Sequence, residues 1–152
     1  MERFDQIFQK IKKVDTIKDQ YVGAIETSKQ IELLLDSKRA VNIFFKLFSN
    51  HVNLEKEKIV FLLDANRPLI YSDNIEAIKN SYYYKIKKYF KERAKVYEYE
   101  IVDLDEWFTK DFEKYNLKFE FPDDGHWNKR GHKVAPKALF SSQLISNFSQ
   151  NK

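Results

Sequence analysis

Histidine is the side chain best suited to accept a proton near neutral pH, because its ordinary pKa lies at about 6.5. Of the three histidines in this chain, two fall in one short stretch, residues 122 to 135, which reads PDDGHWNKRGHKVA. Asp123, Asp124 and Gly125 come immediately before His126. Gly125 lets the backbone turn sharply beside the ring. A carboxylate three residues ahead of a histidine on such a turn can fold back onto the imidazole Nδ1–H. That fixes the tautomer and leaves Nε2 as a base, which is the orienting half of a serine triad. Asn128, just after, is a good N-cap for a helix.

Other chemistries compete for these residues. Asp123, Asp124, His126 and His132 carry the oxygen and nitrogen atoms that hold metals. They match no known ligand spacing such as H-E-x-x-H, and the two histidines sit six residues apart on a turn and a helix, so a metal centre is the weaker expectation. A lone histidine would most simply cap a helix or satisfy a loop, and it is the whole block that favours chemistry. Elsewhere, Lys79 to Lys95 interleaves Tyr82, Tyr83, Tyr84 and Tyr89 with lysines. Such a stretch can bind phosphates and stacked bases. No nucleic-acid-binding motif accompanies it, so a helix with a solvated basic face is expected, with no nucleic acid as partner.

The block needs elements to hold it. Residues 59 to 63, Ile-Val-Phe-Leu-Leu, form an unbroken apolar run that suits a parallel strand covered on both faces. The run ends in a polar turn, Asp64 to Pro68. A helix is expected next, capped by Asp73 with Glu76 three residues on, its apolar face being Ile75, Ile78, Tyr82, Ile86 and Tyr89. A second strand is expected at about Val96 to Val102, where Tyr97, Tyr99 and Ile101 alternate with Glu98 and Glu100, the pattern of an edge strand. Strand, helix and strand joined this way make a right-handed βαβ unit. A short helix near Asp105 to Tyr115, a loop from Asn116 to Asp124 and a last helix from about Lys129 towards Phe148 complete that half. Pro136 would lie inside the last helix and cost about 3 kcal/mol there, or break or kink it.

Ahead of the first strand, helices are expected at 3 to 19, 24 to 36 and 38 to 52, the last capped by Ser37 with Val41, Phe44, Phe45, Phe48 and Val52 on one face. The class is therefore α/β, and ligands of open parallel sheets sit beyond the carboxyl ends of the strands.

Composition agrees with one globular unit: 152 residues, 43% hydrophobic and 33% charged, with no repeat or linker to divide them. The chain has no cysteine, which excludes disulfides, thiolate metal sites and a cysteine nucleophile. It has no apolar run of about 18 residues, so no helical membrane span is expected. Met1 to Lys13 lacks the apolar core of a secretory signal, so no export signal is expected in the chain as written.

Asp123-Asp124-Gly125-His126 resembles the Asp-x-x-His block near the C-terminus of SGNH (GDSL-type) ester hydrolases. The extension through Trp127 and Asn128 to Gly131 and His132 resembles a variant found in bacterial SGNH proteins, including relatives of enzymes that modify polysaccharide O-acetyl groups. IVFLLDANRPLIY, residues 59 to 71, resembles the strand and turn before their last βα unit. The resemblance spans roughly residues 40 to 148. It implies a three-layer, flavodoxin-like α/β fold with a parallel sheet and flanking helices. It also implies a catalytic base at His126 with Asp123 as its orienting acid and Asp124 as second choice. Trp127 would wall the pocket and His132 would be structural. The substrate would be a small or carbohydrate acyl ester, and no cofactor is implied.

Against that pattern, the nucleophile block is missing. No Gly-Asp-Ser, Gly-Glu-Ser or Gly-x-Ser-x-Gly occurs, nor does Gly-x-Asn-Asp. Asn66 follows a strand, but without the glycine and aspartate of the oxyanion block. Loss of one oxyanion donor alone costs about 3 kcal/mol, so the chain by itself is expected to be inactive or nearly so. We expect a single, partial SGNH-like domain over residues 1 to 152, with its N-terminal strands missing. Two strands make a marginal sheet with open edges, which predicts a complementing segment or self-association. The alternative is a non-catalytic binding module of the same fold.

Overall fold

The computed structural model describes residues 27 to 150, apart from 53, 54, 56, 57 and 73. The expected helix at 3 to 19, the start of the one at 24 to 36 and the cap Asp73 lie outside the described residues.

Helix α1 (Thr27–His51) runs unbroken for 25 residues. The division expected at Ser37 does not occur, because no glycine or proline interrupts the segment. The Ser37 hydroxyl is instead hydrogen-bonded to the Tyr82 hydroxyl at 2.7 Å. Strand β1 (Val60–Leu63) follows. Then come three helices, α2 (Arg67–Tyr71), α3 (Ile75–Lys79) and α4 (Tyr82–Val96). The single helix expected after position 73 is split at Asn80 and Ser81. Asn74 caps α3 by accepting from the Ala77 N–H at 3.1 Å, and Ser81 caps α4 by accepting from the Tyr84 N–H at 3.3 Å. Each side chain offers the backbone a local partner that ends one helix and starts the next.

Strand β2 (Glu100–Asp103) starts later than the alternation suggests, since α4 continues to Val96 and Glu98 then turns the chain at a φ of 62°. The two strands are parallel, Val60 opposite Glu100 and Leu63 opposite Asp103, as a βαβ unit requires. Helix α5 (Asp105–Tyr115) matches the expected span, and Asn116 closes it in the left-handed region, which asparagine tolerates.

The expected loop at 116 to 124 contains a hairpin. Its strands are β3 (Glu120–Phe121) and β4 (Asp124–Trp127), antiparallel and joined through Pro122 and Asp123. The last helix is also two, α6 (Lys129–Leu139) and α7 (Gln143–Gln150). Pro136 sits inside α6 and has no N–H for the His132 carbonyl. The helix nevertheless persists to Leu139, held by the burial of Val134, Ala135 and Ala138. The chain leaves it only at Phe140 to Ser142.

The parallel pair separates two apolar clusters. Phe61, Tyr99 and Ile101 face Val41, Phe45 and Phe48 of α1 and Phe90 and Ala94 of α4. Val60 and Val102 face the other side, towards Phe108 of α5, Phe119, and Val134, Ala135 and Ala138 of α6. Alternation along each strand sends neighbours to opposite clusters. The class is mixed α/β, mostly helical, with one small parallel and one small antiparallel sheet among the described residues.

Candidate functional site

His126 lies on β4, in an irregular part of the hairpin. Phe121 stands opposite Asp124, yet Glu120 stands opposite Trp127, so Gly125 and His126 are extra residues on β4. Such a bulge re-aims side chains. The His126 side chain is 86% exposed.

The partner of the ring is Asp124. Its Oδ1 accepts from the His126 backbone N–H at 3.0 Å and lies 2.5 Å from Nδ1 of the ring. The physical reason is an Asx turn. A carboxylate that curls over the amide two residues on is delivered to the ring of that same residue. The carboxylate at Nδ1 is thus that of Asp124, the second choice of the sequence. An ionised carboxylate only accepts, so Nδ1 donates in this contact, and in the neutral ring the lone pair then falls on Nε2. The backbone and then the side-chain hydrogen bond from His126 hold the Asp124 carboxyl below its usual range.

Neighbouring residues tie the hairpin to the strand ends. The Trp127 indole N–H donates to Asp64 Oδ1 at 2.8 Å, directly after β1. Asn128 caps α6, as expected, accepting from the Arg130 and Gly131 amides at 2.8 and 3.3 Å. Its own amide donates to the Lys118 and Glu120 carbonyls, both at 3.0 Å. Gly131 is needed here, because a Cβ at that position would lie 2.8 Å from Trp127 Cβ and 3.1 Å from the Phe119 carbonyl oxygen. His132 sits in the first turn of α6 with its ring 5.7 Å from that of Trp127. Glu120 accepts from the Tyr71 hydroxyl at 2.9 Å, and Arg67 bridges Glu120 and Asp64. The Tyr71 hydroxyl in turn accepts from the Phe119 N–H at 3.0 Å. Burial pushes that hydroxyl well above its ordinary range.

Beyond the carboxyl ends of β1 and β2 lies a charge cluster that sequence reasoning did not single out. The Lys87 ammonium, on a side chain only 7% exposed, meets the Asp64 carbonyl at 2.7 Å, Asp103 at 2.7 Å and Asp105 at 2.8 Å. Lys91 also pairs with Asp103. Burial pushes Asp103 up, but the hydrogen bonds from Lys87 and Lys91 outweigh it and hold this carboxyl below its usual range. The Asn66 N–H donates to Asp105 at 2.5 Å, while its fully buried side-chain amide finds no partner among the described residues. The available signal was position: polar residues at the ends of parallel strands.

The tyrosine–lysine stretch is largely absorbed by the fold. Tyr89 donates to Asn42 at 3.0 Å, Tyr82 meets Ser37, and Lys87 and Lys91 are turned towards Asp103. Among the described residues, no three His, Cys, Asp or Glu side chains are grouped to hold a metal ion, and no helix is long and apolar enough to cross a membrane. No family model, curated protein or solved structure matches this chain.

Proposed function

We propose that this chain carries the acid–base part of a serine-type ester hydrolase of SGNH character, with Asp124 orienting His126 and His126 Nε2 as the base. The observation that carries the reading is the Asp124 carboxylate at Nδ1, which commits the exposed nitrogen to accepting a proton. The parallel strands, with helix layers on both faces and the hairpin fastened to the end of β1, support a three-layer, flavodoxin-like arrangement. In the complete reaction a serine hydroxyl would attack an acyl carbonyl as its proton passes to Nε2. Asp124 would stabilise the resulting imidazolium. The serine block is not in this sequence, so the nucleophile and the oxyanion donors would come from another segment. The substrate class is a small or carbohydrate acyl ester.

Two measurements on the purified chain test this. A fluorophosphonate probe should leave every serine unlabelled, and specific labelling of one serine would overturn the claim that the nucleophile is missing. p-Nitrophenyl acetate, which a bare imidazole cleaves slowly, should be turned over weakly. H126Q should lower that rate to the background set by His51 and His132, and equal rates for H126Q and the unaltered chain would remove the base assignment.

A further inference from the structure

The charge of this chain is unevenly spread. The 28 residues from Gly125 onwards hold five basic residues and no acidic one, while the 124 before them hold 22 basic and 23 acidic. The net charge of +4 therefore comes from the segment that contains α6 and α7. Within α6 the cations fall on one face. The helix turns Gly131, Val134, Ala135 and Ala138 inward. At 3.6 residues per turn the opposite face carries Lys129, Lys133 and Lys137, spaced four apart, with Pro136 and Phe140 among them. All five are exposed, and Phe140, whose backbone continues the helix as its cap, is 70% exposed. None of the three lysines has an ion-pair or hydrogen-bond partner among the described residues, whereas Arg130 on the flank is paired with Asp111.

The electrostatics of the helix work against this arrangement. No acidic residue stands in the first turn of α6, where the macrodipole favours one and disfavours Lys129. Lysines four apart on a helix repel each other. Only Lys137, in the last turn, sits where the dipole favours a cation. Residues 1 to 26, which lie outside the described part, balance five acidic residues against five basic ones, so they hold no surplus of acid to set against this face.

We propose that this face of α6 docks on an anionic lipid surface, with the three ammonium groups among phosphate headgroups and the Phe140 ring at the acyl boundary. The combination selects the occupant. Lysines alone would suit any polyanion. A phenyl ring in the same row gains by leaving water for an interfacial layer, as on helices that lie in the plane of a membrane surface. A convex helix also offers no groove to track a polymer backbone, which binders of single strands provide, whereas headgroups can gather beneath it one by one. This inference is independent of the ester hydrolase reading.

Co-sedimentation of the full chain with lipid vesicles tests it. At about 0.1 M salt the chain should bind vesicles of phosphatidylcholine with about 30% phosphatidylglycerol and ignore pure phosphatidylcholine. Raising the salt to about 0.5 M should weaken binding by about tenfold or more, because screening tightens. K129Q/K133Q/K137Q should bind about a hundredfold less, near fivefold per lysine. The same variant should withstand urea at least as well as the unaltered chain, since the repulsion along α6 is relieved. Should it fail to fold, K133Q alone carries the test with a loss of about fivefold. F140S should bind about tenfold less and keep the salt dependence. K85Q/K88Q, which takes two exposed lysines off α4, should bind like the unaltered chain. Equal losses in K85Q/K88Q and in the α6 variant would overturn the proposal, as would full binding by the α6 variant or by F140S. So would a chain that binds linear polyphosphate or single-stranded DNA but not the vesicles, which would make the partner a soluble polyanion.

Discussion

The indole N–H of Trp127 donates to the carboxylate of Asp64 across 2.8 Å, although 63 residues separate the two. This bond joins the histidine-bearing hairpin to the end of the parallel sheet. W127F should therefore lower stability by about 1–2 kcal/mol, the lower part of the range for a hydrogen bond to a charged group, since Asp64 keeps Arg67 as a partner. Urea denaturation followed by fluorescence of the remaining tryptophan, Trp107, measures it.

G131A separates packing from helix propensity. Alanine is the better helix former by about 1 kcal/mol, which on an open helix would stabilise. Here the added Cβ meets Trp127 and the Phe119 carbonyl at 2.8 and 3.1 Å. Net destabilisation of about 1–3 kcal/mol is expected from the overpacking. A more stable variant would show that the hairpin is not pressed against α6.

Lys87 is the residue whose loss should cost the fold most. K87M removes the cation from between Asp103 and Asp105 and leaves both carboxylates facing each other. Breaking a buried pair costs about 3–5 kcal/mol, and the part-exposure of Asp105 places this case at the low end. The acid limb gives a second readout. Asp103 titrates below its ordinary value of 3.8 when folded, so its contribution is present above that value and lost as pH falls through the folded pKa. The unaltered chain should lose stability steeply in that acid window, and K87M should lose less there.

At high pH the sign reverses. Tyr83 is pushed up to about 12, first by burial and then by the nearby Asp64 and Asp105 charges, and Tyr71 is raised by burial as well. Their protonated forms favour the folded state, so stability should be retained below the ordinary tyrosine value of 10.0 and decline as pH rises towards 12. Ultraviolet titration of the folded chain should show late-ionising tyrosines, and Y71F should remove one of them.

The dyad has a spectroscopic signature. Long-range proton–nitrogen spectra should find the neutral His126 ring protonated at Nδ1, and D124A should return it to the ordinary Nε2–H form. The Asp124 carboxyl should titrate below 3.8, and H126A should reverse only part of that displacement, because the backbone N–H donor remains.

Some of this arrangement was legible in the sequence. The unbroken run at 59 to 63 read as a parallel strand because burial on both faces removes alternation. Asn128 announced the start of α6, and the helix from Asp105 to Tyr115 stood out by its pattern. The hairpin did not, since β3 has two residues and β4 is bulged, which leaves no alternation to detect. The breaks at Asn80 and after Leu139 depend on side-chain bonds and packing that spacing does not encode. Lys87 looked like one more member of a solvated basic face. Its burial is decided by Asp103 and Asp105, which only the fold brings near. The choice between Asp123 and Asp124 turned on an Asx turn within three residues, finer than any periodicity.

The Lys87 clamp also divides the molecule by stiffness. Drawing the tips of the two parallel strands apart would part a nearly buried ammonium from its carboxylates, so that rim resists separation. The hairpin is fastened by contacts that include Trp127, Asn128 and Glu120, with the imidazole exposed. The hairpin is therefore expected to open to solvent before the strand ends do, and amide hydrogen exchange would rank the two.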